Sequence, residues 1–305
     1  MRILGVLVVC FAVGVAGAQA PCKPTITGHV DIFPMESKVF HKTRNLRVWL
    51  PPGYDVAENA MRKYKVLYLL DAQAMFDACT AFMHEEMHAD ETLTELITAG
   101  KVEPIVVVGV DNGKLPVGDK GEQRPREYLP YPDATNPAAH DVSGDDFVKF
   151  MERDVMPVVE AKYRVKNGAE NTALGGSSYG GVATFYALIR RPDLFDMGIV
   201  ESPSTQIGNG AMMRDSEHLV YAPSKVVMGV GAIEWAADGD PQAAEHNAAY
   251  VKSVTLLAEH LRAASEQPSD VRLTVQPDGK HNQTSFGSRF GAALLFLFPA
   301  KKSAA

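Results

Sequence analysis

Short apolar runs alternate along the chain with longer stretches whose apolar residues recur three or four positions apart, and the two periods predict a succession of strands and helices. The segments 65–70 (Lys-Val-Leu-Tyr-Leu-Leu) and 104–110 (Pro-Ile-Val-Val-Val-Gly-Val) are apolar almost throughout. A strand covered on both faces reads this way, because its alternate side chains enter two different cores. Further strands are expected at 44–50, 171–175, 197–201 and 225–230, and Val271, Leu273 and Val275 alternate with polar residues as a half-buried one. Helices are expected over 85–98, 179–190, 243–264 and 288–298. From Ser143, a good N-cap, Phe147, Phe150, Met151, Val155, Val158 and Val159 keep helical spacing, while Pro157 must kink or restart that helix. This alternation runs from Pro21 to about Pro299 without a repeat or linker. It predicts an α/β fold in a single domain over 21–299, a mainly parallel sheet with helices on both faces, and a frayed tail at 300–305.

Composition narrows the class. With 46% hydrophobic and 22% charged residues, the 305-residue chain can bury a large core. A net charge of −7 and the lack of a basic stretch argue against nucleic acid as a partner. Met1-Arg2, an uncharged apolar run over 3–15 and the small residues Ala16-Gly17-Ala18-Gln19-Ala20 have the layout of a secretory signal peptide over 1–20, with cleavage after Ala18 favoured over Ala20. The run is shorter than the roughly 20 apolar residues of a bilayer span, so no stable membrane anchor is expected and the location is secreted or periplasmic. Cys10 falls within that leader, leaving Cys22 and Cys79 either as a disulfide or as two separate thiols.

The chemistry centres on Gly176-Ser177-Ser178-Tyr179-Gly180, a G-x-S-x-G pattern between a short strand and a helix, which makes Ser178 the candidate nucleophile and Ser177 a spacer. A serine hydroxyl needs a base within reach and an acid to hold that base, and on this type of elbow the chain order is Ser, then Asp or Glu, then His. His246 and His260 fall inside a predicted helix and His218 in a polar insertion, whereas His281 follows the last strand and is the candidate base. Glu234 stands at the carboxyl end of the strand at 225–230 and is the candidate acid, with Asp238 and Asp240 as competitors or a serine-histidine dyad as the alternative. The oxyanion donors are assigned to the backbone N–H groups of Tyr179 and Gln73. His84-Glu85-Glu86-Met87-His88 has the form of a zinc-binding H-E-x-x-H helix but is read as a solvated helix face, and neither cofactor nor metal is expected. The polar segment 205–224 is expected to shape the substrate pocket.

Taken together, Leu69-Leu70-Asp71-Ala72-Gln73-Ala74-Met75-Phe76-Asp77, Arg126-Glu127-Tyr128, Leu174-Gly175-Gly176-Ser177-Ser178-Tyr179-Gly180-Gly181, Gly231-Ala232-Ile233-Glu234 and Gly279-Lys280-His281 resemble the "Putative esterase" family of α/β-hydrolases. That family includes enterochelin-type siderophore esterases, feruloyl and acetyl-xylan esterases, S-formylglutathione hydrolase and the mycolyltransferases. The resemblance implies an α/β-hydrolase fold and a serine esterase acting on a small-molecule ester, with Ser178, Glu234 and His281 as the triad and Gln73 and Tyr179 as oxyanion donors. It departs from the family at Leu70-Asp71-Ala72, where Leu-Asp-Gly is common. An acyltransferase, a peptidase or a catalytically silent binding protein could share the same scaffold.

Overall fold

The computed structural model describes residues 22–113, 123–132, 142–235 and 241–301. Strands β1 (His29–Ser37), β2 (Lys42–Leu50), β3 (Lys65–Leu70), β4 (Ile105–Val110), β5 (Thr172–Ser177), β6 (Met197–Glu201), β7 (Lys225–Gly231) and β8 (Asp270–Gln276) form one sheet in the order β1-β2-β4-β3-β5-β6-β7-β8. The pairings of β1 with β2 and of β2 with β4 are antiparallel, and the rest are parallel. This is the α/β-hydrolase sheet. Around it lie α1 (Ala89–Thr98), α2 (Gln123–Tyr128), α3 (Gly144–Phe150), α4 (Met156–Lys162), α5 (Tyr179–Arg190), α6 (Ile207–Ser216), α7 (Ala243–Arg262) and α8 (Gln283–Leu297).

The apolar strands feed two cores. Val66, Tyr68 and Leu70 of β3 join one cluster with residues of α3, α4, α5 and α7, while Leu67 and Leu69 join a second cluster with α1 and α8. β4 divides in the same way, Val106, Val108 and Val110 against Ile105 and Val107. The continuous apolar runs are therefore two interleaved stripes of period two. The expected restart at Pro157 is also present, since a π-helical stretch over Met151–Val155 separates α3 from α4, whose first turn contains the proline.

Two buried ion pairs pin the flanks of the sheet. Arg44 of β2 donates to both oxygens of Glu127 at 2.9 and 3.1 Å, and Arg47 to both oxygens of Asp111 at 2.7 and 3.1 Å. The first gives Arg126-Glu127-Tyr128 a structural role, because Glu127 docks α2 onto β2 and Tyr128 packs edge-on against Phe147 at 5.4 Å. Cys22 and Cys79 are joined in a disulfide, the outcome that spacing alone left open. It fastens the N-terminal arm to the segment after β3, helped by the Ala78 N–H donating to Thr25 Oγ at 2.9 Å.

Several expectations are corrected. β1 escaped notice because it is an edge strand with a largely exposed face and Pro34 in its middle, which an edge tolerates. The helix expected from 85 begins only at Ala89, because Met87 N–H donates to Ala74 O at 2.8 Å and Ala89 N–H to Met75 O at 3.0 Å, drawing that segment out of helical geometry. α8 starts at Gln283 rather than 288, capped by Asn282, whose side chain accepts from Ser285 N–H at 3.0 Å.

Candidate active site

β5 ends at Ser177 and α5 begins at Tyr179, so Ser178 alone makes the turn, with φ 58° and ψ −123°. A non-glycine residue held there costs on the order of 1–3 kcal/mol and needs support from its surroundings. Ser178 N–H donates to Glu201 O at 3.0 Å, and Ser178 O accepts the N–H of Val182 at 3.1 Å as α5 starts. The glycines clear the space. A Cβ at Gly176 would lie 2.6 Å from Gly180 O, and one at Gly181 would lie 2.8 Å from Glu201 O. Ser177 is buried at the strand end, the spacer position assigned to it.

β7 leads through Gly231 to Glu234, and β8 leads to the loop that carries His281. The two side chains meet: His281 Nδ1 lies 2.7 Å from Glu234 Oε2, with the Glu234 side chain 0% exposed and the His281 ring 31% exposed. The other carboxylate oxygen accepts from the Ser202 hydroxyl and the Gly231 N–H. A fully buried carboxylate needs this number of donors. The imidazole stands edge-on to Phe286 at 5.4 Å, and the Trp235 ring lies tilted to it at 6.3 Å. Asp238 and Asp240 lie outside the described residues. His260 contacts Ser216 Oγ at 2.6 Å on α6, away from this group.

Beneath Glu234 lies a second carboxylate. Burial pushes Glu201 above the usual carboxylate range, and Arg289 opposes this by donating Nε and Nη2 to Glu201 Oε2 at 3.0 and 2.7 Å. Arg289 Nη1 also donates to Gln276 Oε1 at 2.5 Å, so it joins the ends of β6 and β8 under the Glu234 loop.

Ser178 and His281 line one cavity of about 900 Å³, together with Asp71, Gln73, Arg124 and Phe286. It lies outside the carboxyl ends of the strands, where open α/β sheets bind ligands. Gln73 sits in the 3₁₀ turn Ala72–Ala74, and its side chain is paired reciprocally with Asn112 at 2.9 and 3.2 Å. Asp71, with φ 60°, accepts two bonds from Arg124 at 2.7 Å each and one from Asn112 Nδ2 at 2.7 Å. Arg124 then reaches Ser177 O at 3.2 Å and lies 5.4 Å from the Tyr179 ring, so it links the ends of β3 and β5 to the start of α5. Sequence reasoning missed Arg124, Asn112, Ser202 and Arg289. The one available signal was the position of Arg124 just ahead of Arg126-Glu127-Tyr128.

Two assignments near the cavity change. Segment 205–224 contributes none of the described lining residues; it contains α6, and the wall is built instead by 71–85 and 281–286. His84 and His88 do not share a helix face, since both have positive φ and His84 Nδ1 is engaged at 3.0 Å with Ala78 O.

The chain is 31% identical over 160 residues to a siderophore enterobactin esterase of Emericella nidulans, covering 50% of each protein. It is 26% identical over 186 residues to a ferri-bacillibactin esterase of Bacillus subtilis, covering 56% of this chain and 60% of that one. The chain thus spans half to three-fifths of the length of these curated relatives. An IroE-like serine hydrolase from Shewanella oneidensis shares the fold, with a TM-score of 0.64 at 20% identity over 88% of this chain and 80% of that one. The family model described as "Putative esterase" matches residues 37–297, and with the elbow, sheet order and site geometry above, the chain belongs to that esterase family.

Proposed function

We propose that the protein is a secreted or periplasmic serine carboxylic-ester hydrolase working through an acyl-enzyme on Ser178. The observation that carries this reading is the buried Glu234 carboxylate on His281 Nδ1, with His281 and Ser178 lining the same cavity. In this mechanism His281 Nε2 takes the Ser178 proton as Oγ attacks the ester carbonyl. The N–H groups of Gln73 and Tyr179 receive the oxyanion. Collapse of the tetrahedral adduct expels the alcohol, which takes the proton from His281, and water then releases the acid by the same two steps in reverse. Glu234 fixes the tautomer and stabilises the imidazolium.

The substrate class is an acylated sugar or a siderophore-type ester. Relatives named as a siderophore enterobactin esterase and a ferri-bacillibactin esterase support it, as do the cavity volume and the exposed Phe82 and Met83 at its wall, which offer an apolar face to an aromatic acyl group. Export is supported by the leader-like residues 1–20 and by the Cys22–Cys79 disulfide, since such bonds persist in oxidising compartments. The test is hydrolysis of a panel of acyl esters of graded length alongside feruloyl and catecholate esters. Turnover of none of them by the purified protein would refute the reading.

The acid is tested separately. Glu234→Gln is expected to lower turnover of one activated ester by about ten- to a thousand-fold, less than His281→Ala, because the amide keeps a hydrogen bond but not the charge. Asp238→Asn and Asp240→Asn should cost little. Near-wild-type Glu234→Gln beside a crippled Asp238→Asn would move the acid to 238.

A further inference from the structure

The stretch from Glu85 to Glu91 carries chemistry that ester hydrolysis does not use. Because the N–H groups of 87 and 89 are hydrogen-bonded to the carbonyls of Ala74 and Met75 at the end of the 3₁₀ turn, the chain turns Glu86 inward, and its side chain is 2% exposed. It sits between Glu85, which lines the cavity, and Met87, whose carbonyl is so close to α8 that a Cβ at Gly287 would be 2.5 Å from it. Among the described residues neither Glu86 oxygen meets a hydrogen-bond donor, and no lysine or arginine pairs with it. A carboxylate taken out of water without donors or a full counter-charge is strongly unfavourable.

What faces Glu86 is an imidazole and a second carboxylate. His88 Nδ1 lies 3.5 Å from Glu86 Oε1 and also 3.5 Å from Glu91 Oε1, and the three donor atoms lie within 4.8 Å of one another. The 3.5 Å separations are long for hydrogen bonds. They are close to the edge, about 3.3 Å, of a tetrahedron around an ion with bonds of roughly 2.0–2.1 Å. Asp90 is held elsewhere, its Oδ2 occupied by the Thr27 N–H and hydroxyl at 2.5 and 3.0 Å. Among the described residues, Glu86 Oε1 and Glu91 Oε1 thus both approach the exposed imidazole of His88, and no lysine or arginine pairs with either carboxylate.

We propose that Glu86, His88 and Glu91 bind a divalent transition-metal cation of the zinc type, with water completing its shell. An imidazole beside two carboxylates suits zinc, whereas calcium and magnesium prefer oxygen alone. The ligand spacing, Glu86-x-His88-x-x-Glu91, differs from the H-E-x-x-H helix suggested by the sequence, and His84 takes no part. None of the three ligands lines the Ser178 cavity, so the ion is structural. It joins the cavity wall bearing Phe82 and Met83 to the start of α1.

The purified full chain, stripped with a chelator, is titrated with zinc chloride by calorimetry, and metal retained after dialysis is measured by mass spectrometry. The expected result is one zinc per chain and a rise of the thermal midpoint by about 5 °C at saturation. Glu86→Gln, His88→Ala and Glu91→Gln should each weaken binding at least tenfold. The last two side chains are 64% and 39% exposed, so these variants test the site without risk to the core. Equal zinc uptake by wild type and a His88→Ala/Glu91→Gln double variant, retention of calcium in preference to zinc, or no zinc bound at 100 micromolar (roughly the weak end of useful affinity) would each overturn the proposal.

Discussion

Replacing Ser178 by alanine is expected to reduce ester turnover by about 10⁴- to 10⁶-fold while leaving the thermal midpoint within a few degrees of wild type. Only the attacking oxygen is lost. The turn is fixed by the backbone bonds of residue 178 to Glu201 and Val182 and by the close approach of Gly176 to Gly180, none of which involves the hydroxyl. Ser177→Ala, one residue away, should keep turnover within about tenfold, since the contact made at 177 is the carbonyl that accepts from Arg124. Turnover of a chromogenic ester, with folding checked by circular dichroism, separates the two. A dead Ser177→Ala beside an active Ser178→Ala would place the nucleophile at 177.

The largest loss of stability is expected from Arg289→Met. Glu201 and Arg289 are both buried, and Glu201 stands close enough to Glu234 for the two negative charges to repel. Removing the guanidinium leaves an uncompensated carboxylate, which in buried pairs costs about 3–5 kcal/mol and here corresponds to a fall in midpoint on the order of 10 °C. Glu201→Gln in the same chain should restore a good part of it, because the orphaned charge is then gone. Thermal unfolding of the single and double variants reads the outcome. If the double variant is as unstable as Arg289→Met alone, packing of the arginine rather than its charge accounts for the loss.

Much of the sheet and the residues of the candidate site could be read from the chain because the signals are local. The apolar runs of β3, β4 and β7 mark doubly covered strands wherever they occur, and the glycines flanking Ser178 act within five residues of sequence. Glu234 and His281 were reached through their positions at strand ends, and the structure brings them within 2.7 Å of each other. Where local pattern was weak, reading failed. β1 presents an exposed edge, and α6 contains Gly208, Asn209 and Gly210 at positive φ, so neither carries a clean period.

The period of each strong element, the strand-turn-helix elbow and the order of the candidate serine, acid and histidine are legible in the chain alone. Tertiary structure decided what holds them: Arg124 on Asp71 across 53 residues, Arg289 on Glu201 across 88, and Cys22 on Cys79 across 57. It also decided that 85–88 abandon the helix their composition favours, because hydrogen bonds to 74–75 outweigh a weak local preference. A period is a property of neighbouring residues and survives in any one stretch of chain. A buried charge pair exists only once two distant segments have excluded water from the space between them, and no local spacing encodes which two those are.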